Sequence, residues 1–207
     1  MLRTEKDIEI HYAPDLPYAE ILKIITPFHC ILSRSETAIP KELIDKASKL
    51  KVIARAAVGI GNIDVDYATE KGILIINTPG KNTNSAAELT IGLLLSAMRK
   101  MIPAHIHMSE LKWNRHTFTG TELLGKTIGI VGLGNVGNRV ARYAKAFEME
   151  VLAYDPYIAD EVFERHNSKK CTWDELLSSA DIISLHVPKN SETTGMIGAK
   201  EFSRMKS

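Results

Sequence analysis

Three glycines and one carboxylate carry the clearest chemistry in this sequence. Gly132, Gly134 and Gly137 form G-x-G-x-x-G directly after the apolar run Thr127-Ile128-Gly129-Ile130-Val131. Asp155 lies 18 residues beyond Gly137 and closes the run Val151-Leu152-Ala153-Tyr154. Gly132 permits a tight turn, Gly134 leaves room for a pyrophosphate beside the backbone, and Gly137 lets the next helix lie close to the sheet. The free N–H groups that open that helix would face the phosphates. A carboxylate at the position of Asp155 accepts hydrogen bonds from the adenosine ribose hydroxyls, and its charge repels a 2′-phosphate. Glycine turns also occur where nothing binds. Here a β-branched strand before, a helical pattern after and an acidic strand end supply the required context, so the spacing predicts an NAD site.

The elements that must position these residues alternate along the chain. Strand candidates are Ile8–Tyr12, His29–Ser33, Lys51–Ala56 and Ile73–Asn77, with helices over Pro17–Ile25, Lys41–Lys49 and Asp64–Lys71 between them. Pro17 and Pro40 suit helix starts and Gly72 suits a helix end. A long helix is expected over Ser85–Arg99, opened by a capping box of Ser85 and Glu88. Pro103 marks a break, and a helix over Pro103–Trp113 joins the two halves. A second α/β unit follows: strand Ile128–Val131, helix Asn135–Phe147, strand Val151–Tyr154, helix Asp174–Ser178 and strand Asp181–His186. Alternating β and α units imply parallel sheets with helices on both faces and right-handed connections. The expected fold class is α/β: two Rossmann- or flavodoxin-like lobes with parallel sheets, both incomplete. Residues 1–99 would form the first lobe and residues 100–207 the second.

Bulk properties exclude several functions. Net charge is +1 with both signs interspersed, so no electrostatic footprint for nucleic acid is present. No apolar run approaches the roughly 20 residues needed to cross a bilayer, and Leu89–Met98 reads as a buried helix. The run Met1–Asp7 lacks the apolar centre of a signal peptide. The two cysteines, Cys30 and Cys171, have no metal or redox spacing and are expected in the core. These features place the protein in the cytoplasm, without a membrane partner.

Several motifs together resemble the D-2-hydroxyacid dehydrogenases. They are Arg55-Ala-Ala-Val-Gly59-Ile-Gly-Asn62-Ile-Asp64, Asn77-Thr78-Pro79, Ser85-Ala-Ala-Glu88-Leu89, the glycine turn, and Leu176-Leu177-x-x-Ala180-Asp181-Ile182-Ile183-Ser184-Leu185-His186-Val187-Pro188 continuing through Thr193 to Met196. The approach Gly120-Thr121-Glu122-Leu123 and the ending Tyr154-Asp155-Pro156 are most similar to the branch that oxidises 3-phosphoglycerate to 3-phosphohydroxypyruvate for serine synthesis. The resemblance spans nearly the whole chain. One departure is Gly61, where many relatives carry Asp before Asn62.

The resemblance implies a substrate lobe, flavodoxin-like, an NAD-binding Rossmann lobe, and catalysis in the cleft between them. It implies that backbone N–H groups of Ala57, Val58 and Gly59 hold the substrate carboxylate. The local chemistry agrees, because a loop of small residues at a strand's carboxyl end offers amides to an anion. Arg55 has two readings: it turns into the cleft and adds charge for a substrate phosphate, or it forms a surface ion pair. On the cofactor side, the resemblance places Asn135 and Val136 at the pyrophosphate, Asp155 at the ribose, Val187 on the adenine–ribose side and Thr78 across the cleft. Val187 could instead precede a proline that merely ends the strand.

Hydride transfer from a 2-hydroxy acid needs a base for the hydroxyl proton and a cation to polarise the forming carbonyl. The family draws these from a His tuned by Glu and from an Arg in an Asn-x-Ala-Arg-Gly strand end. That motif does not occur in the 207 residues. His105, His107, His116 and His186 are read as surface or packing residues, so no catalytic residue is assigned. The expectation is a fragment truncated at the C-terminus and at the N-terminus, inactive alone and poorly stable through unpaired edges and uncovered apolar faces. A glyoxylate or hydroxypyruvate reductase is a related alternative. A non-catalytic, corepressor-like NAD sensor is an alternative of another class. The family implies a homodimer or homotetramer, with contact through the nucleotide lobe and Pro103–Trp113.

Overall fold

The computed structural model describes residues 5–206. It divides into two compact units, one ending at Pro79 and one beginning at Gly80. Each is an α/β unit with its own parallel sheet and its own apolar core.

The first unit runs α1 (Tyr18–Ile24), β1 (Cys30–Ser33), α2 (Lys41–Lys46), β2 (Val52–Arg55), α3 (Val65–Glu70) and β3 (Leu74–Ile76). Its strands pair in parallel in the order β1-β2-β3, with Ser33 opposite Arg55 and Ala54 opposite Ile76. Side chains alternate across a sheet, so Ile31, Ile53 and Ile75 share one face. Ile39, Leu43, Ile44, Ile63 and Ala68 pack against that face. Asp64 caps α3 by accepting from Tyr67 N at 3.2 Å, and Gly72 ends the same segment with φ +70°. The opposite face, carrying Leu32, Leu74 and Ile76, is exposed among the described residues. Helices on both faces were expected; α1, α2 and α3 all contribute to the single covered face. Ile8–Tyr12 is irregular rather than a strand. Its alternation suits pairing, but the sheet is completed by β1, β2 and β3 without it.

The second unit opens on α4 (Thr83–Met98) and α5 (Met101–Ser109), followed by a single 3₁₀ turn at Arg115–Phe118. Then come β4 (Thr127–Val131), α6 (Asn135–Ala146), β5 (Glu150–Tyr154), α7 (Asp160–Arg165), β6 (Lys169–Lys170), α8 (Trp173–Ser179), β7 (Ile182–Leu185) and α9 (Ala199–Phe202). The parallel sheet has the order β6-β5-β4-β7. Strand order reverses at β4, which places a topological switch point between β4 and β7. Ile128, Ile130, Val140, Ala141, Ala144, Val151 and Phe163 are buried together in the core.

The boundary sits 20 residues before the expected one. Helix α4 packs along α6, with Ala87 and Leu94 in the second unit's core, so it belongs there rather than to residues 1–99. Ser85 and Glu88 lie inside α4, which begins at Thr83 after Asn82, and they form no capping box. Leu89 and Leu93 are exposed, so α4 is buried along one stripe only. The break after α4 falls at Lys100, in the left-handed region at φ 53°, and not at Pro103. Pro103 occupies the first turn of α5, where no intrahelical N–H bond is lost. Cys30 is exposed and Cys171 half-buried, so neither is a core cysteine. No helix is long and apolar enough to cross a membrane among the described residues.

Candidate functional site

The glycine turn is built by close approaches that a side chain would block. Gly132 takes φ +88°, and a Cβ there would lie 2.9 Å from the His186 carbonyl oxygen. A Cβ on Gly137 would fall 2.0 Å from the Gly132 carbonyl oxygen. Gly134 differs: a Cβ there would meet nothing within 4 Å. The first and third glycines are therefore required by the fold, and the second borders open space. That space lies at the start of α6, whose N-cap, Gly134, has no side chain to satisfy the first N–H groups. The amides of Gly134, Asn135, Val136 and Gly137 have no acceptor among the described residues. Free donors, the positive helix end and a gap that a methyl would fill together fit a pyrophosphate.

Asp155 sits just past β5 with its carboxylate already oriented. Oδ2 accepts from Leu133 N at 2.9 Å, and Oδ1 accepts from Tyr157 N at 3.1 Å. Each carboxylate oxygen keeps a further acceptor site, so ribose hydroxyls can be bound without breaking either bond. Leu133 was not singled out from sequence, because its contribution is a backbone N–H that only the folded turn reveals. Val187 adjoins the turn, its Cγ1 3.0 Å from the position of a Gly132 Cβ. His186 shares its Nε2 with Ser184 Oγ at 2.9 Å, and burial pulls the imidazole below its ordinary pKa. It is thus a neutral ring bracing the end of β7.

In the first unit, the loop after β2 is pinned by its carbonyls. Asn77 Nδ2 donates to Val58 O at 2.8 Å and Thr78 N to Ala57 O at 3.1 Å. The N–H groups of Ala57, Val58 and Gly59 have no acceptor among the described residues. Three unpaired amides on a fixed loop at a strand's carboxyl end can bind a carboxylate. Asn77 holds this loop through its side chain, a role the sequence did not disclose.

Arg55 follows neither of its two readings. It is 1 % exposed, which rules out a surface ion pair. Its Nη1 donates to Arg34 O and its Nη2 to Thr37 O at 2.9 Å. Asn62 Nδ2 supports the same segment, donating to Ser35 O at 2.7 Å and Thr37 O at 3.2 Å. Arg55 therefore clamps the loop after β1, and only its Nε is unpaired. Among the other histidines, His107 packs against Phe118 with ring centroids 5.0 Å apart. No group of three or more His, Cys, Asp or Glu residues could hold a metal ion among the described residues.

Residues 91–207 match the family model described as "D-isomer specific 2-hydroxyacid dehydrogenase, NAD binding domain". The chain belongs to this family. It is 44 % identical over 199 residues to the D-3-phosphoglycerate dehydrogenase of Archaeoglobus fulgidus, covering 96 % of this chain and 38 % of that protein. The chain thus spans well under half the length of the curated relatives it matches. A solved D-lactate dehydrogenase from Aquifex aeolicus, complexed with NAD and lactic acid, superposes with a TM-score of 0.83 at 32 % identity, covering 93 % of this chain and 56 % of that one. The NAD⁺-bound 3-phosphoglycerate dehydrogenase of Entamoeba histolytica gives a TM-score of 0.75 at 32 % identity, covering 92 % and 57 %. The glycine turn and Asp155 fall within the matched NAD-binding domain, and NAD is the cofactor its residues fit.

Proposed function

We propose that this chain serves NAD-dependent oxidation of a D-2-hydroxy acid, with 3-phosphoglycerate as the substrate and 3-phosphohydroxypyruvate as the product. The observation that carries the reading is the pairing of free amides with an oriented carboxylate at the glycine turn. NAD, when bound, would supply the acceptor for the C2 hydride, and the hydroxyl proton would need a base. Asn135 and Val136 donate to the pyrophosphate, Asp155 accepts from the ribose, and Val187 lines the adenosine side. Ala57, Val58 and Gly59 donate to the substrate carboxylate. Arg55 acts by holding the loop after β1, and Thr78 holds Ala57. No residue of this chain is assigned the proton transfer. Relatives named D-3-phosphoglycerate dehydrogenase at 39–44 % identity support the substrate choice.

Apolar side chains on and after α5, including Ile102, Ile106, Leu111 and Trp113, are exposed and support a homo-oligomeric contact. Calorimetric titration of the purified chain tests the functional reading. NADH should bind, and 3-phosphohydroxypyruvate should then bind the NADH-loaded chain more tightly than pyruvate, glyoxylate or hydroxypyruvate. Absence of NADH binding overturns the cofactor assignment. Tighter binding of glyoxylate or hydroxypyruvate overturns the substrate and favours the reductase.

A further inference from the structure

The loop after β5 and the loop after β7 are joined by a side-chain contact beside the ribose carboxylate. Tyr157 donates its backbone N–H to Asp155 Oδ1 at 3.1 Å, and its hydroxyl donates to Glu192 Oε2. One tyrosine therefore spans the two acidic groups. The loop that carries Glu192 is itself ordered: Glu192 N and Thr193 N both donate to Asn190 Oδ1, at 3.0 and 2.9 Å, and Thr193 Oγ1 donates to Pro188 O at 2.5 Å. No Lys, Arg or His pairs with Glu192 among the described residues. The phenol titrates above its ordinary value, first because it bonds Glu192, with Asp155 adding in the same direction. Both carboxylates thus act on one ring.

We propose that Glu192, held in place by the Tyr157 hydroxyl, is a second negative charge at the adenosine end of the cofactor site and, with Asp155, a determinant of NAD over NADP. The proposal deepens the cofactor reading and rests on it. Asp155 rejects a 2′-phosphate at close range, by its charge and by accepting hydrogen bonds that only free ribose hydroxyls can donate. Glu192 acts at longer range, through charge alone, on a group bearing up to two negative charges. A tyrosine's length separates the carboxylates, on the order of the ~8 Å Debye length at physiological ionic strength, so the repulsion is partly screened. Its effect is a modest factor on NADPH and a smaller one on NADH, whose pyrophosphate lies farther away. Tyr157 is the positioning residue: without its hydroxyl, the Glu192 side chain is free to swing toward solvent.

The test is a set of Kd measurements for NADH and NADPH, by nicotinamide fluorescence, on the wild-type chain and on Glu192→Gln, Glu192→Lys and Tyr157→Phe. Glu192→Gln should tighten NADPH by about 3- to 10-fold while leaving NADH within about 2-fold, the scale of one partly screened charge. Glu192→Lys should extend the shift in the same direction, and Tyr157→Phe should give a smaller one. The gain for NADPH should shrink as salt is raised, which a merely structural role for Glu192 would not produce. Equal changes for both coenzymes, or an unchanged NADPH-to-NADH ratio along the Gln and Lys series, overturn the proposal and leave the NAD reading intact. A wild-type chain that binds no NADH overturns both.

Discussion

A methyl group placed on Gly137 would fall 2.0 Å from the carbonyl oxygen of Gly132, closer than any real contact allows. Helix α6 thus starts hard against the turn that precedes it, and the first and third glycines of the motif are one packing unit. Gly134, between them, has φ −72° and open space where its Cβ would point. The motif's three glycines consequently separate into two that build the turn and one that leaves room for the ligand.

Substitution should expose that difference. Gly137→Ala is expected to destabilise the second unit by about 2–4 kcal/mol, because backbone must shift to admit the methyl. Gly134→Ala should leave the melting temperature unchanged and weaken NADH by about 10-fold or more. Thermal unfolding beside NADH titration checks both; a normal melt for Gly137→Ala would show that the turn relaxes.

Arg55 and Asn62 converge on the carbonyl of Thr37, at 2.9 and 3.2 Å. Arg55→Met removes the guanidinium and leaves the carbonyls of Arg34 and Thr37 short of donors, a loss of about 2–4 kcal/mol. Amide exchange over residues 34–37 should accelerate most. Unchanged exchange there would show that Asn62 alone suffices.

His186 gives the stability a defined pH dependence. Its pKa is lowered in the folded chain by burial, from an ordinary 6.5. Between the lowered value and 6.5 the unfolded chain binds more protons, so stability rises with pH across that window. The full contribution is present above about 6.5 and is lost as the pH falls. Urea midpoints taken from pH 5 to about 7.5 should show this slope, and His186→Gln should flatten it. A slope that persists in the variant assigns it to another group.

The exposed apolar side chains of α5 predict association. The 23.0 kDa chain should sediment as a dimer or larger, and Ile106→Asp should shift it toward monomer without altering NADH affinity. Ile102 and Ile106 lie four apart and so share one stripe of the helix. Sedimentation of the wild-type chain as a monomer at tens of micromolar would remove the proposed contact.

Much of the architecture was legible because its signals are local. Gly72 marks the end of α3 and takes the expected left-handed conformation, while Asp64, read as the first helical residue, caps the helix instead. Strand, glycine turn and helix from Thr127 to Ala146 follow from apolar periodicity and from glycine's conformational freedom. Other assignments failed where the deciding partner lies far along the chain. The motif Ser85-x-x-Glu88 has capping-box spacing, yet α4 starts two residues earlier and passes through it. Cys30 has a core residue's character and lies on the exposed sheet face. The two-residue β6 is too short to give an alternating signal.

The sequence by itself determined the α/β class, the parallel sheets, the position of the dinucleotide turn and the acidic residue that follows it. Those properties depend on backbone preference and on spacing within a few dozen residues. Tertiary structure decided what Arg55 does, because a guanidinium can serve an anion or a backbone carbonyl with equal chemistry. Only the register of Ser33 against Arg55 and the path of residues 34–37 select the carbonyls. It likewise assigned α4 to the second unit and brought Glu192 to Tyr157 across 35 residues. Long-range contacts of this kind are fixed by how packed elements meet, and no local pattern in the chain encodes them.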